Sequence, residues 1–144
     1  MTRREIRETG MRLVRAELQR REVFDREATR DERGVDLLTS TGHRLQVNGK
    51  RGKGRWVLGK EGGRSEAADH VILVAVGEQP ADAEFYVVPV GALYDWAEDR
   101  HRAYWARRGE ITGESGLVQI RDTDADVREF LDPYQDAWEL ITGA

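Results

Sequence analysis

The chain of 144 residues contains no cysteine, which excludes disulfide bonds, thiol nucleophiles and cysteine-ligated zinc or iron–sulfur sites. It has only three histidines, His43, His70 and His101, and their spacing is not that of a metal-binding motif. No apolar run approaches the roughly 18–20 residues that cross a bilayer, and the N-terminal sequence MTRREIRETG lacks the apolar segment of a signal peptide. These absences predict a cytoplasmic protein that does not engage a membrane.

Charge is abundant but unevenly distributed. Charged residues make up 35% of the chain and hydrophobic residues 39%, a balance that is typical of a soluble globular protein. The net charge is −4, yet the stretch from Gly42 to Lys60 contains six cations and no acid, so the rest of the chain carries −10. The six cations are Arg44, Lys50, Arg51, Lys53, Arg55 and Lys60. This stretch either binds the phosphates of a nucleic acid or is a solvated hairpin that serves solubility.

Hydrophobic periodicity predicts an α+β protein. Apolar residues at spacings of three and four predict helices from Arg3 to Arg21 and from Gly91 to Arg108. Gly109 follows the second helix and is predicted to stop it. Strands are predicted at Val23 to Thr29, Val35 to Thr39, Arg44 to Val47, Trp56 to Gly59, His70 to Val76 and Phe85 to Val90, with a loop from Ile111 to Gly116 and a final helix that starts at Pro133. The continuous apolar run HVILVAV predicts a strand that is buried on both faces at the centre of the sheet. The expected architecture is a single domain, residues 1–144, with a central mixed β-sheet flanked by helices.

Oxygen-bearing side chains on two neighbouring predicted strands suggest a metal site. Asp36 lies early in one strand and Gln46 lies in its predicted antiparallel partner. A divalent cation that activates water for phosphodiester cleavage needs such hard oxygen ligands from adjacent strands. A lysine two residues after the second ligand would point to the same face, but that position is Asn48. Asn48–Gly49 is alternatively a strong two-residue hairpin turn.

Aromatic residues are concentrated in the second predicted helix. Trp96, Tyr104 and Trp105 lie there, and aromatic side chains in an amphipathic helix are far more often part of a core than a platform for stacking bases. We therefore expect these three side chains to pack inside the domain.

Several segments together resemble a known family. They are GVDLL (34–38), LQVNGK (45–50), RWVLGK (55–60), ADHVILVAV (68–76), EFYVVPV (84–90), DRHRAYWARR (99–108) and the closing DPYQDAWELI. In order and spacing these segments are similar to small bacterial proteins of the PD-(D/E)XK nuclease-like superfamily. The resemblance covers nearly the whole chain, although each motif is weak by itself. It implies a restriction-endonuclease-like fold, in which helices flank a central mixed sheet.

The resemblance also implies a metal site, with two departures. The family's site comprises an aspartate, then Glu or Gln with lysine two residues later, and a glutamate that follows a glycine in the first helix. Asp36 matches the aspartate and Gln46 the second ligand, to which the Val47 carbonyl would add a third. Asn48 replaces the lysine and Met11 replaces the helix glutamate. The fold is therefore implied more strongly than the activity.

Three functions are open at this point. The first is a domain that binds DNA or another nucleic acid through Arg44, Lys50, Arg51, Lys53, Arg55 and Lys60, with a degenerate, inactive metal site and no cofactor. The second is an endonuclease that uses Mg²⁺ or Mn²⁺, with the missing lysine supplied by Lys50 or Lys60 and the missing glutamate by Glu8 or Glu17. The third is a protein-interaction or immunity module that binds its partner through the acidic part of the chain. A homodimer is compatible with each.

Overall fold

The computed structural model describes residues 1–60, 62–108 and 116–143. The helices are α1 (Arg3–Arg20), α2 (Val90–Arg107), α3 (Ala125–Leu131) and α4 (Glu139–Thr142), and the strands are β1 (Asp25–Glu27), β2 (Leu37–Thr39), β3 (Arg44–Arg51), β4 (Trp56–Lys60), β5 (His70–Val76), β6 (Glu84–Pro89) and β7 (Leu117–Ile120). Single turns of 3-10 helix occur at Pro80–Asp82 and Asp132–Tyr134. Within the described ranges, no helix is both long enough and apolar enough to cross a membrane.

The main sheet is mixed and has five strands in the order β1-β2-β3-β5-β6. Strands β3 and β5 are parallel, whereas the other neighbouring pairs are antiparallel. Helices flank this sheet, so the predicted α+β class with a central mixed sheet is confirmed. The prediction that residues 70–76 form a strand buried on both faces is also confirmed, because β5 contributes Ile72 and Val74 to one core and Val71 and Leu73 to the other. The middle strand, however, is β3.

Helix α1 packs closely against β3 and β5. Its first turn is closed by a capping box, in which the Thr2 hydroxyl accepts from the Glu5 N–H and the Glu5 carboxylate accepts from the Thr2 N–H. Val14 lies on the buried face of the helix. Gly49 permits the close approach, since a Cβ there would lie 3.3 Å from the Ile6 carbonyl oxygen. The first predicted helix is therefore confirmed, and its N-terminal half lies over the C-terminal half of β3.

A second, two-stranded antiparallel sheet formed by β4 and β7 covers the other face of the main sheet. Trp56 of β4 is fully buried, and its indole N–H donates to the Val74 carbonyl of β5 at 3.1 Å. The strand predicted from Trp56 to Gly59 is thus present, but it pairs with β7 and does not join the main sheet. Sequence reasoning missed β7, which has four residues and shows no alternation beyond Val118 and Ile120.

Strand β3 is longer than the sequence predicts. It continues past Val47 to Arg51 because residues 45–51 pair in parallel with residues 70–76 of β5, with Asn48 opposite Leu73. The hypothesis that Asn48–Gly49 is a hairpin turn is therefore wrong, because long-range pairing overrides the local turn preference. The chain turns at Gly52, which has a φ of 57° and so adopts a conformation that favours glycine.

The C-terminal segment closes the outer edge of β6. Pro133 lies in a 3-10 turn between α3 and α4 and does not start the final helix, which is a correction to the prediction. Beyond this turn, Gln135 forms an isolated bridge with Tyr86, and the Asp136 N–H donates to the Phe85 carbonyl at 2.9 Å. The predicted helix stop at Gly109 and the predicted loop from residue 111 to residue 115 lie outside the described residues.

The position of His70 at the start of β5 gives stability a pH dependence. Burial lowers the pKa of His70 and the nearby His43 lowers it further, whereas Asp69 raises it. The unfolded chain, with its ordinary histidine pKa of about 6.5, therefore binds a proton before the folded chain does, and the free energy of unfolding falls as pH drops below that value. We expect His70→Gln to flatten this fall between about pH 6.5 and 5, as measured by urea midpoints. Equal slopes for parent and variant would contradict it.

Candidate functional site

The structure places Asp36 beside β3, one residue before β2 begins. The Asp36 N–H donates to the Leu45 carbonyl at 2.8 Å, one position beyond the β2–β3 ladder. Its carboxylate Oδ2 accepts from the Val47 N–H at 2.7 Å. That N–H faces the side of β3 where β2 has ended, so the carboxylate satisfies a donor that would otherwise lack a strand partner.

The second oxygen of Asp36 is bonded to a cation from α1. Arg7 Nη2 donates to Asp36 Oδ1 at 3.0 Å, and the Asp36 side chain is only 16% exposed. A guanidinium group therefore neutralises the carboxylate that the resemblance assigns to a metal. Sequence reasoning missed Arg7, although Arg7 lies four residues before Met11 and hence on the same face of the helix.

Gln46 and Asn48 both face away from α1, because their neighbours Leu45 and Val47 pack on the α1 side. Burial raises the pKa of Tyr94 of α2, and the neighbouring Gln46 side chain lowers it by a smaller amount. The Gln46 Oε1 atom is buried and has no hydrogen-bond partner in the described part of the chain. Asn48 Nδ2 donates to the Val57 carbonyl at 2.8 Å, so this side chain ties β3 to β4.

Lys50, which the sequence offers as a phosphate contact or relocated catalytic lysine, is a buried residue in the structure. It is only 3% exposed, and its Nζ lies 3.0 Å from Asp122 Oδ1. The same ammonium group donates to the Gly52 carbonyl at 2.6 Å and lies 4.8 Å from the centroid of the Trp56 ring. A phosphate would have to displace these groups to reach it.

Four of the six predicted phosphate contacts are exposed in residues 51–60, the turn after β3 and strand β4. We call this segment the basic hairpin, although β3 and β4 do not pair with each other. The exposed cations are Arg51, Lys53, Arg55 and Lys60. Within residues 1–60, 62–108 and 116–143, none of the four pairs with a carboxylate, and Arg55 donates to the neutral Gln119 amide at 2.8 Å. Arg44 lies at the start of β3, outside this segment, and its charge is paired with Asp69 at 3.0 Å.

The described residues do not fit a divalent cation at Asp36. They contain no cluster of three or more histidines and carboxylates that suits a metal. The two glutamates that the sequence offered as replacements are engaged in other contacts, Glu8 with Arg4 at 3.0 Å and Glu17 with two arginines at the end of α1. The Asp36 carboxylate is therefore the one acidic ligand that remains among the described residues at this position, and the Arg7 guanidinium is already bonded to it.

Comparisons with known proteins support the fold. No family model and no curated protein matches this chain. Among solved structures, the chain is similar to a bacterial homing endonuclease, I-Ssp6803I, with 18% sequence identity and a TM-score of 0.58. The similarity covers 99% of this chain and 92% of the other. At this level of identity it shows a nuclease-like fold for nearly the entire chain.

Proposed function

We propose that this protein is a nucleic-acid-binding domain of the PD-(D/E)XK nuclease-like superfamily, with one domain spanning residues 1–144, and that it binds duplex DNA through the basic hairpin. One observation carries the proposal. Four exposed cations, Arg51, Lys53, Arg55 and Lys60, lie within ten consecutive residues and have no carboxylate partner among the described residues, in a chain whose net charge is −4. The similarity of the fold to that of a homing endonuclease supports it.

Local charge outweighs net charge in this argument. The charge density of duplex DNA is about one negative charge per 1.7 Å, so a protein cation that touches a phosphate displaces condensed counterions. At physiological salt the Debye length is about 8 Å, which screens the acidic residues that lie far from the contact. An exposed cluster of four cations can therefore bind DNA although the whole chain is acidic.

Charge reversal in the hairpin tests this proposal. If all four cations contact phosphates, the logarithm of the affinity for a short DNA duplex should fall with the logarithm of salt with a slope of about −3.6. Arg51→Glu with Lys53→Glu should abolish binding at physiological salt, because two contacts become repulsive. Fluorescence anisotropy with labelled duplex measures both effects.

A matched variant separates local charge from net charge. Arg30 and Arg33 are exposed in the loop between β1 and β2, and neither has a carboxylate partner in the described ranges. Arg30→Glu with Arg33→Glu changes the net charge by the same amount and should retain most of the affinity. If the two double variants lose affinity equally, or if neither loses any, the hairpin is not the binding surface.

We further propose that the metal site is degenerate and that the domain does not cleave DNA. The support comes from the ion pair of Asp36 with Arg7 and from the burial of Lys50 against Asp122. A water-activating metal requires more hard ligands than one neutralised carboxylate. We expect plasmid DNA to remain uncut in the presence of Mg²⁺ or Mn²⁺. Nicking that disappears in Asp36→Ala would instead establish the endonuclease.

A further inference from the structure

A second cationic feature lies between α2 and the small sheet. The C-terminal half of α2 and the outward side of β7 enclose a cleft of about 410 Å³. Three rings from α2, those of His101, Tyr104 and Trp105, lie on one side, and Arg55 and Arg121 lie on the other. Proteins that bind single-stranded nucleic acid combine aromatic side chains, on which bases stack, with basic side chains that contact phosphates.

The aromatic side of the cleft differs from the sequence prediction. Trp96 packs inside, stacked on Phe130 at 4.4 Å between ring centroids, as expected for a core residue. Tyr104, in contrast, is 42% exposed; its ring meets that of Trp105 edge to face at 5.0 Å, and the exposed Arg108 guanidinium lies 4.4 Å from its centroid. A base that stacks on this face must therefore displace Arg108 or stack on the guanidinium. The expectation that all three aromatics of this helix lie in the core is therefore wrong for Tyr104, and Trp105 is only partly buried; both rings line the cleft.

The cationic side is built by the pairing of β4 with β7. Trp56 is opposite Ile120 in the last pair of the β4–β7 ladder. Arg55 and Arg121, the residues just beyond this pair, therefore lie at the same end of the small sheet. Neither has a carboxylate partner in the described part of the chain. The acid that lines the cleft, Asp124, is held by Arg100 at 3.0 Å.

We propose that this cleft binds an unpaired nucleotide of a single-stranded nucleic acid, with the base against Tyr104 and Trp105 and the phosphate between Arg55 and Arg121. Bases in a duplex are already stacked on each other, so an aromatic side chain reaches a base face only when the strand is open. The cleft volume lies within the range of small-ligand sites, which suits one nucleotide and excludes a duplex. The inference rests on the proposed function, because Arg55 belongs to both surfaces.

The test compares single-stranded and duplex DNA. Tyr104→Ala should weaken the binding of an oligothymidylate of about 12 nucleotides by roughly 5- to 150-fold, the range for loss of one stacked base. Its affinity for duplex should change less than about twofold, since the basic hairpin is intact. Tyr104→Phe retains the ring and should bind as the parent does. Phe24→Ala removes an aromatic ring that is 81% exposed beside β1 and should change neither affinity.

The possible outcomes separate the two proposals. If the parent binds neither probe, the proposed function fails. If it binds duplex but not oligothymidylate or an oligouridylate of equal length, only the cleft proposal fails. Equal losses on single strand and duplex in Tyr104→Ala, or no loss on either, would also overturn it. A selective loss with oligouridylate supports the cleft and identifies its ligand as RNA.

Discussion

Trp56→Ala is expected to lower the free energy of unfolding by about 3–5 kcal/mol. The side chain is fully buried where the small sheet meets the main sheet, and its ring packs edge to face on Tyr86 at 5.9 Å. Removal leaves a cavity and deprives the buried Val74 carbonyl of its donor, the indole N–H. Urea denaturation followed by circular dichroism measures the loss.

Two further variants make this prediction robust if Trp56→Ala does not fold. Trp56→Phe keeps most of the packing but loses the hydrogen bond, so it should cost about 1–3 kcal/mol. Val57→Ala, in the same strand but with an exposed side chain, should cost no more than about 0.5 kcal/mol. If Trp56→Ala proved as mild as Val57→Ala, the small sheet would not be anchored through this residue.

Asp122→Ala is expected to cost about 3 kcal/mol, whereas Lys50→Met should be nearly neutral. Removing Asp122 leaves the buried Lys50 ammonium without its counter-ion, and such uncompensated charges are strongly destabilising. Methionine at position 50 has a similar length and can pack on Trp56, while the remaining Asp122 is 21% exposed and can be hydrated. Denaturant midpoints of the two variants give the comparison.

The same pair of variants tests the placement of Lys50. Because Lys50 lies outside the basic hairpin surface, Lys50→Met should bind duplex DNA as the parent does, while Arg51→Glu with Lys53→Glu should not. A large loss of affinity in Lys50→Met with unchanged stability would show that this lysine reaches the phosphates after all. A loss of stability in Asp122→Ala as small as that in Lys50→Met would show that the ammonium group does not depend on Asp122.

Local patterns were sufficient to predict helix α1 and strand β5. Helix α1 carries its apolar residues at helical spacing behind a capping box, and β5 is a continuous apolar strand, so both could be read from the sequence alone. The extended conformation of Asn48–Gly49 could not be predicted from the sequence alone. Its local preference for a turn is overridden by pairing with β5, which lies more than twenty residues further along the chain. Strand β7 is too short to show a reliable period.

The site was harder to predict because its contacts join distant segments. The antiparallel pairing of β2 with β3, which brings Asp36 close to β3, was foreseen. The partners that change the chemistry, Arg7 for Asp36 and Asp122 for Lys50, lie on other elements and have no sequence signal of their own. Charge counting found a basic segment, but only burial shows which of its cations face solvent.

The ends of the main sheet bear on how copies of this chain behave when crowded together. An exposed, flat, apolar edge strand can pair with a strand of another molecule through its free backbone groups, and such pairing is a common origin of aggregation. Here one edge, along β6, is covered by Gln135 and Asp136, and the other is β1, only three residues long and built of Asp25, Arg26 and Glu27. The sheet therefore presents little free backbone with which a second copy of the chain could pair. At the β1 edge, such a copy would also meet the charged side chains of that strand.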